Sequence, residues 1–144
     1  MKYLSRALVA LAVAVVWAGG AFAQSWPSRP IRMVVPYTPG GYTDLMARLV
    51  GQKVADALGQ TIVFENKPGA NAIIGTDVVA KAAPDGYTFG TVIAAHAVNA
   101  TLNPKLPYDT LKDLSYVSLM SVASLIMIAH PSLPTNNVMD LIAL

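Results

Sequence analysis

The strongest constraint on the fold is an alternation of short β-rich runs with longer segments of helical periodicity. The β-rich runs contain many Val, Ile, Thr and aromatic residues, and they lie at 31–35, 61–65 and 87–93. Two segments with the spacing of amphipathic helices separate them, at 43–58 and 73–83. Strands that alternate with helices of this length are typical of a parallel sheet. The sequence therefore predicts an α/β fold for this region.

The first predicted helix has sequence signals at both ends. Thr43 or Asp44 suits its N-cap position, and Gly59 suits a left-handed C-cap. Its apolar side chains recur at fourfold spacing and are predicted to face the sheet; they are Leu45, Met46, Leu49, Val50, Val54 and Leu58. Pro84 is predicted to stop the second helix, because proline breaks a helix interior.

The periodicity weakens after Ala94. Two later apolar runs, at 116–120 and 125–129, favour two more strands. Residues 134–137 are predicted to cap a further helix that begins near Val138.

The first 23 residues have the three parts of a secretory signal. Lys2 and Arg6 form a basic region, an apolar core follows at 7–18, and Ala21-Phe22-Ala23 supplies small residues for signal peptidase. A membrane-spanning helix needs about 20 apolar residues, more than this core provides. We therefore expect cleavage after Ala23 and export to a bacterial periplasm, with no membrane span in the mature chain.

Composition excludes several classes of function. The chain has no cysteine, so disulfides, thiolate zinc sites and cysteine nucleophiles are excluded. Removing Lys2 and Arg6 from the 10 basic residues leaves 8, which equals the 8 acidic residues. A balanced charge does not support nucleic-acid binding, which needs clustered positive charge. No metal or cofactor site is predicted.

Three loops follow the predicted strands and are candidates for ligand binding: the first at 36–44, the second at 94–99 and the third at 66–71. In the first, Gly40 and Gly41 would let a ligand approach the backbone, and the next helix would offer unpaired N–H groups to a carboxylate. An ordinary turn is the alternative. In the second, His96 either donates a hydrogen bond to a ligand or has a structural role. In the third, Lys67 is interpreted as a solvated surface charge.

The sequence gives little support for an enzyme. A serine hydrolase of α/β type needs a G-x-S-x-G turn, which is missing from the sequence. His96 and His130 have no carboxylate partner that spacing would predict. Asp44, Asp85 and Asp109 stand where helix caps and turns favour aspartate. No catalytic residue is therefore predicted, although an exported α/β hydrolase-like enzyme using His96 is kept as a rival hypothesis.

The same loops carry a family resemblance. Residues 26–41, followed by Thr43-Asp44, resemble the opening of Bug-type substrate-binding proteins, the periplasmic receptors of tripartite tricarboxylate transporters. Further matches occur in the same order at 65–70, 83–88, 106–109 and 130–134. Several separate motifs in one order are a stronger signal than any of them alone.

This resemblance implies a two-lobed, periplasmic-binding-protein-like (type II) clamshell that holds a small organic anion between its lobes and delivers it to membrane permease subunits. A signal peptide at 1–23, the N-terminal part of lobe one at 24–120, and the crossover and start of a truncated lobe two at 121–144 are the expected divisions. Two lobes of about 100–150 residues each would exceed this chain. The chain is therefore expected to be an N-terminal fragment that is non-functional by itself or binds its ligand weakly. A ligand-sensing receptor for a membrane kinase is the alternative role.

The resemblance also implies which residues bind the ligand, largely through backbone groups and ordered water. They are Tyr37, Thr38, Pro39, Gly40, Gly41, Thr43 and Asp44 in the first loop, and Ala95, His96 and Asn99 after the third strand. Tyr42 stands where the family usually has a small residue, which implies a narrower pocket or an outward-turned ring.

Overall fold

A computed structural model describes residues 25–135 and 137–144 of the 144-residue chain. The predicted signal peptide lies outside the described residues. The elements, in chain order, are β1 (Ile31–Val35), α1 (Tyr42–Leu58), β2 (Ile62–Asn66), α2 (Ile73–Ala80), β3 (Thr88–Gly90), α3 (Ala94–Leu102) and α4 (Val138–Ile142). Within the described ranges, no helix has the length and apolar character needed to cross a membrane.

The three strands form one parallel sheet in the order β2-β1-β3. Central β1 pairs with β2 from Ile31 opposite Ile62 to Val35 opposite Asn66, and it pairs with β3 from Arg32 opposite Thr88. This arrangement confirms the predicted parallel α/β fold. It also places the carboxyl end of β1 between the ends of its neighbours, which brings the three following loops to one edge.

The core lies where β1 meets the helices. Val34 and Val35 are fully buried, and Ala47 of α1 is buried beside the sheet. The predicted apolar face of α1 was wrong in part, because Leu45 is 53% exposed and Leu49 is 60% exposed. Small residues let α1 lie close to the sheet: a Cβ at Gly51 would meet the Phe64 ring at 2.6 Å. The buried stripe of α1 is therefore Asp44, Ala47 and Gly51.

Several helix and strand ends differ from the predictions. The N-cap of α1 is Gly41 rather than Thr43 or Asp44, whereas the left-handed C-cap at Gly59 is confirmed. Helix α2 ends at Ala80, before Pro84, because the Ala82 N–H bonds to the Val79 carbonyl in a tighter turn. Strand β3 ends at Gly90, where its neighbour β1 leads into Pro36, which has no N–H for the ladder.

Helix α3 was not predicted, and the second candidate ligand segment lies in this helix rather than in a loop. Its N-cap is Ile93, which has no capping oxygen, and its many alanines give no apolar periodicity. Helix α4 is confirmed, with the Asn137 side chain accepting a hydrogen bond from the Asp140 N–H.

The strands predicted at 116–120 and 125–129 are absent from the described structure, where both segments have no regular secondary structure. A strand needs a neighbour to satisfy its backbone hydrogen bonds, and nothing pairs with these segments in the described part of the chain. Their side chains are correspondingly exposed, with Val117 at 78% and Leu125 at 100%.

Candidate functional site

The carboxyl edge of the sheet carries three helix N-termini. Because all three strands are parallel, the loops after β1, β2 and β3 lead into α1, α2 and α3 at this one edge. The N-cap residues are Gly41, Ala72 and Ile93, and none of them makes a side-chain cap hydrogen bond. First-turn N–H groups and the positive ends of helix dipoles attract anions. The edge thus has the chemistry of an anion-binding surface without a basic side chain.

The two glycines of the β1–α1 loop, which sequence analysis treated alike, have different backbone conformations. Gly40 has a positive φ of 78°, a conformation that side chains disfavour. Gly41 has an ordinary φ of −73°, and a Cβ added there would meet nothing closer than the Thr38 carbonyl at 3.5 Å. Only Gly40 is therefore required by backbone conformation. Thr38, Pro39 and Gly40 are exposed, and Tyr42 is also exposed, with its ring 49% accessible.

Asp44 holds this loop in place. The residue is only 3% exposed, and its Oδ2 accepts hydrogen bonds from the Gly40 N–H at 2.9 Å and Arg48 Nε at 3.0 Å. Its Oδ1 accepts from Asn66 Nδ2 at 2.9 Å. The Arg48 guanidinium, the Gly40 N–H and the Asn66 amide hold the pKa of Asp44 well below its ordinary value. The Asp44 carboxylate therefore stabilises the β1–α1 loop, and its negative charge would repel an anionic ligand.

Asn66 ties the first two loops together and was not predicted as a site residue. Besides Asp44, its Nδ2 donates to the Tyr37 carbonyl at 3.1 Å, and its Oδ1 accepts from Arg48 Nη2 at 3.1 Å. Asn66 begins the third candidate loop, 66–71, but it was not among the predicted ligand residues. Nothing local reveals that the last residue of β2 reaches the loop after β1; the predicted parallel pairing of the two strands was the only available hint.

His96 lies in the first turn of α3, 4% exposed, with its ring stacked at 6.0 Å on Tyr108. Its Nε2 is 2.9 Å from the Tyr116 hydroxyl, and that hydroxyl donates its single proton to the Thr110 carbonyl. Nε2 must therefore carry a proton and donate to Tyr116. Burial lowers the pKa of His96, which favours this neutral form. The donor that sequence analysis offered to a ligand is used within the protein.

Buried polar atoms without a hydrogen-bond partner in the described part of the chain include His96 Nδ1 and Thr91 Oγ1. The Tyr37 hydroxyl faces the Ile93 backbone, and the Tyr108 hydroxyl faces the Thr76 side chain. Burial raises the pKa of both tyrosines. Thr91 follows β3 directly, so an unsatisfied hydroxyl lies just before the uncapped start of α3.

The third predicted site residue of α3, Asn99, is 2% exposed and faces the β2–α2 loop rather than solvent. Its Nδ2 donates to the Asn71 carbonyl at 2.8 Å, and its Oδ1 accepts from Asn71 Nδ2 at 3.0 Å. Ala95, in the first turn of the same helix, is half-buried. Asn71 lies in the third candidate loop, but its contact with Asn99, 28 residues further along the chain, was not predicted.

The basic side chains beside this edge are paired. Lys67 Nζ lies 2.8 Å from Glu65 Oε1, and Arg32 Nε donates to Glu65 Oε2 at 2.6 Å. Arg48 is engaged with Asp44, as described. The interpretation of Lys67 as a surface charge agrees with the 42% exposure of its side chain.

The predicted ligand residues form an open surface. Two concavities, of about 400 and 590 Å³, lie elsewhere: one between α1 and β2 beside Gly51 and Phe64, and one around Asn103 and Tyr108. None of the predicted ligand residues lines either of them. The edge therefore provides one wall of a site rather than an enclosed pocket.

Comparison with known proteins connects this edge to a family of receptors. The family described as tripartite tricarboxylate transporter family receptor matches residues 46–144. Protein BugT of Bordetella pertussis is 40% identical over 145 residues, which cover 97% of this chain and 44% of BugT. The chain thus spans less than half the length of this relative.

Two solved structures of similar proteins contain dicarboxylates. MatC of Rhodopseudomonas palustris with bound malate is 41% identical, with a TM-score of 0.62 over 66% of this chain and 33% of MatC. R. palustris Rpa4515 with adipate is 38% identical, with a TM-score of 0.56 over 59% of this chain and 29% of the relative. The family resemblance and the periplasmic-binding-protein type of fold are confirmed. The chain belongs to the family of tripartite tricarboxylate transporter receptors.

Proposed function

We propose that this chain supplies the carboxylate-binding edge of a periplasmic solute receptor. The observation that carries the proposal is the convergence of three helix N-termini, at Gly41, Ala72 and Ile93, that lack side-chain caps. Each offers N–H donors and the positive end of a helix dipole. Family membership adds support, because family members are solute-binding receptors.

The two ligand-bound relatives favour carboxylate recognition over recognition of the whole ligand. Malate and adipate differ in chain length and in the malate hydroxyl, and they share two terminal carboxylates. Backbone N–H groups bind a carboxylate without contacting the rest of the ligand. We therefore assign the Tyr37–Asp44 loop and the first turns of α2 and α3 to one carboxylate, with Asp44, His96 and Asn99 holding the backbone.

The role of the intact receptor is inferred from the family and from the predicted signal peptide. The intact receptor would be exported through its signal peptide, capture an organic anion in the periplasm and deliver it to membrane permease subunits. Neither catalysis nor a cofactor belongs to this role. Presentation of the ligand to a membrane kinase is the alternative use of the same site, and neighbouring genes distinguish the two.

Ligand-observed NMR tests the proposal on the chain as it exists. One open wall should bind weakly, with a Kd on the order of 1 mM, which corresponds to about 4 kcal/mol. We expect saturation transfer from the protein to malate and to adipate, and mutual competition between them. The neutral dimethyl ester of adipate is the matched control and should show none. Transfer to neither diacid, or equal transfer to the ester, would contradict the proposal.

A further inference from the structure

The loop between β2 and α2 has an unusual backbone. Four consecutive residues have positive φ: Gly69 at 132°, Ala70 at 46°, Asn71 at 52° and Ala72 at 72°. Glycine and asparagine tolerate this region, but alanine disfavours it, and such strain persists only where surrounding structure enforces it. Ala72 is also the N-cap of α2. The conformation of this loop therefore determines where the first turn of α2 lies.

Asn99 of α3 enforces that conformation from the side. It forms two hydrogen bonds with Asn71, one with the backbone carbonyl at 2.8 Å and one with the side-chain amide at 3.0 Å. Its Oδ1 also accepts from Asn103 Nδ2 at 3.2 Å, so both acceptor positions of that oxygen are occupied. Asn99 thus uses its amide oxygen and one amide N–H within the protein, and both Asn71 contacts hold the loop.

The first turn of α2 is fixed by close backbone packing as well. A Cβ at Gly75 would meet Pro36 Cα at 2.8 Å and the Lys67 carbonyl at 2.7 Å. Displacement of the β2–α2 loop would consequently move the first-turn N–H groups of Ile74 and Gly75 relative to the β1–α1 loop. The Asn71–Asn99 pair connects this turn to α3, the third helix of the edge.

We propose that Asn99 is a positioning residue, which locks the left-handed loop 69–72 and thereby holds the N–H groups at the start of α2 in place for the carboxylate. This inference rests on the proposed function. It assigns ligand contact to the backbone of Ile74 and Gly75 and assigns only their placement to Asn99. It also explains why a loop that includes two alanines keeps a strained conformation at this edge.

The experiment measures loop order and malate binding on the same ¹⁵N-labelled chain. In Asn99→Ala, backbone order parameters of residues 70–72 should fall from about 0.85 to below about 0.6. The affinity for malate, read from the shifts of the Ile74 and Gly75 amides, should fall roughly tenfold, as expected for two ordinary hydrogen bonds. Asn103→Ala removes the other partner of Asn99 Oδ1 and is the matched control; it should leave both values near wild type.

A rescue variant separates positioning from a general structural role. Ala70→Gly at this exposed position removes the bias against positive φ, so it should restore most of the loop order and affinity in the Asn99→Ala background. In the wild-type background it should change little. A purely structural contribution of Asn99 to α3 would lower the Tm without being rescued in this way. Asn71→Ala, also exposed, removes the side-chain hydrogen bond and leaves the backbone one, so it should lower loop order and affinity in the same direction as Asn99→Ala, and it replaces that variant if Asn99→Ala does not fold.

An Asn99→Ala loop that stays ordered, equal losses in Asn103→Ala, or no rescue by Ala70→Gly would overturn the inference. If the wild-type chain does not respond to malate while the loop disorders and is rescued as described, the locking of the loop stands and carboxylate binding by this chain is contradicted.

Discussion

Gly40 and Gly41 are adjacent residues with different requirements. Gly40 has a positive φ of 78° and open space around its missing Cβ, whereas Gly41 has an ordinary backbone conformation. We expect Gly40→Ala to lower the free energy of unfolding by about 1–2 kcal/mol, the strain of a left-handed alanine. Gly41→Ala should lower it by only about 0.5 kcal/mol, because alanine is a poorer N-cap residue than glycine. Urea unfolding measures both, and equal losses would contradict the described loop.

Asp44 makes stability depend on pH. Its pKa is lowered in the folded state, mainly by Arg48, so its stabilising contribution is present above the unfolded-state pKa of about 4 and is lost as the pH falls below it. Asp44→Asn should therefore destabilise the chain at pH 7 and reduce the further loss between about pH 5 and pH 2.

The matched control is Asp56→Asn, on the same helix, where an exposed carboxylate accepts one hydrogen bond from Gln52 at 2.9 Å. Thermal melts across pH should show little change for this variant. An Asp44→Asn chain that keeps the full acid sensitivity of wild type would refute the role given to Asp44.

Residue-level prediction succeeded where the cause is local. Gly59 as a left-handed C-cap follows from the helix end beside it, and the structure confirms it. The pairing of Asn71 with Asn99 depends on a loop conformation that alanine disfavours, so propensity argues against it. The proton position on His96 likewise depends on Tyr116, 20 residues further along the chain.

At the scale of elements, the packing of α2 against the end of β1 depends on Gly75. A Cβ there would meet backbone and proline atoms at 2.5–2.8 Å, none of which is the end of a flexible side chain. Gly75→Ala should therefore destabilise the chain by about 1–3 kcal/mol through overpacking. Gly41→Ala, whose added Cβ meets nothing closer than 3.5 Å, is the control. A Gly75→Ala chain with an unchanged urea midpoint would show that α2 lies farther from Pro36.

The elements that sequence analysis identified are those with strong internal signals. Strand β1 has the predicted bounds, because its apolar run ends at a proline. Helix α3 was missed because neither its N-cap nor its alanine-rich face gives a signal. The prediction of strands at 116–120 and 125–129 was wrong although their composition favours strands. A strand forms only beside a partner that satisfies its backbone hydrogen bonds.

For the whole molecule, the segment at 117–128 is the main exposed apolar surface among the described residues. Leu125 is fully exposed, and Ile126 and Ile128 exceed 80% exposure. Contiguous apolar exposure of this kind promotes association. The double substitution Leu125→Lys and Ile128→Lys should raise solubility and reduce binding of a hydrophobic dye without changing the Tm. A lower Tm would show that these side chains are buried in solution.

We propose that backbone N–H groups at the starts of three helices bind the carboxylate. The most direct test of this proposal is a ¹H–¹⁵N correlation spectrum of the chain titrated with malate, with sodium chloride of equal ionic strength as the control. We predict the largest malate-specific shifts at the amides of residues 42–44, 74–75 and 94–95, with those of Lys67 and Lys112 unchanged. Shifts centred on the lysines, or on the concavity beside Gly51 and Phe64, would contradict the account.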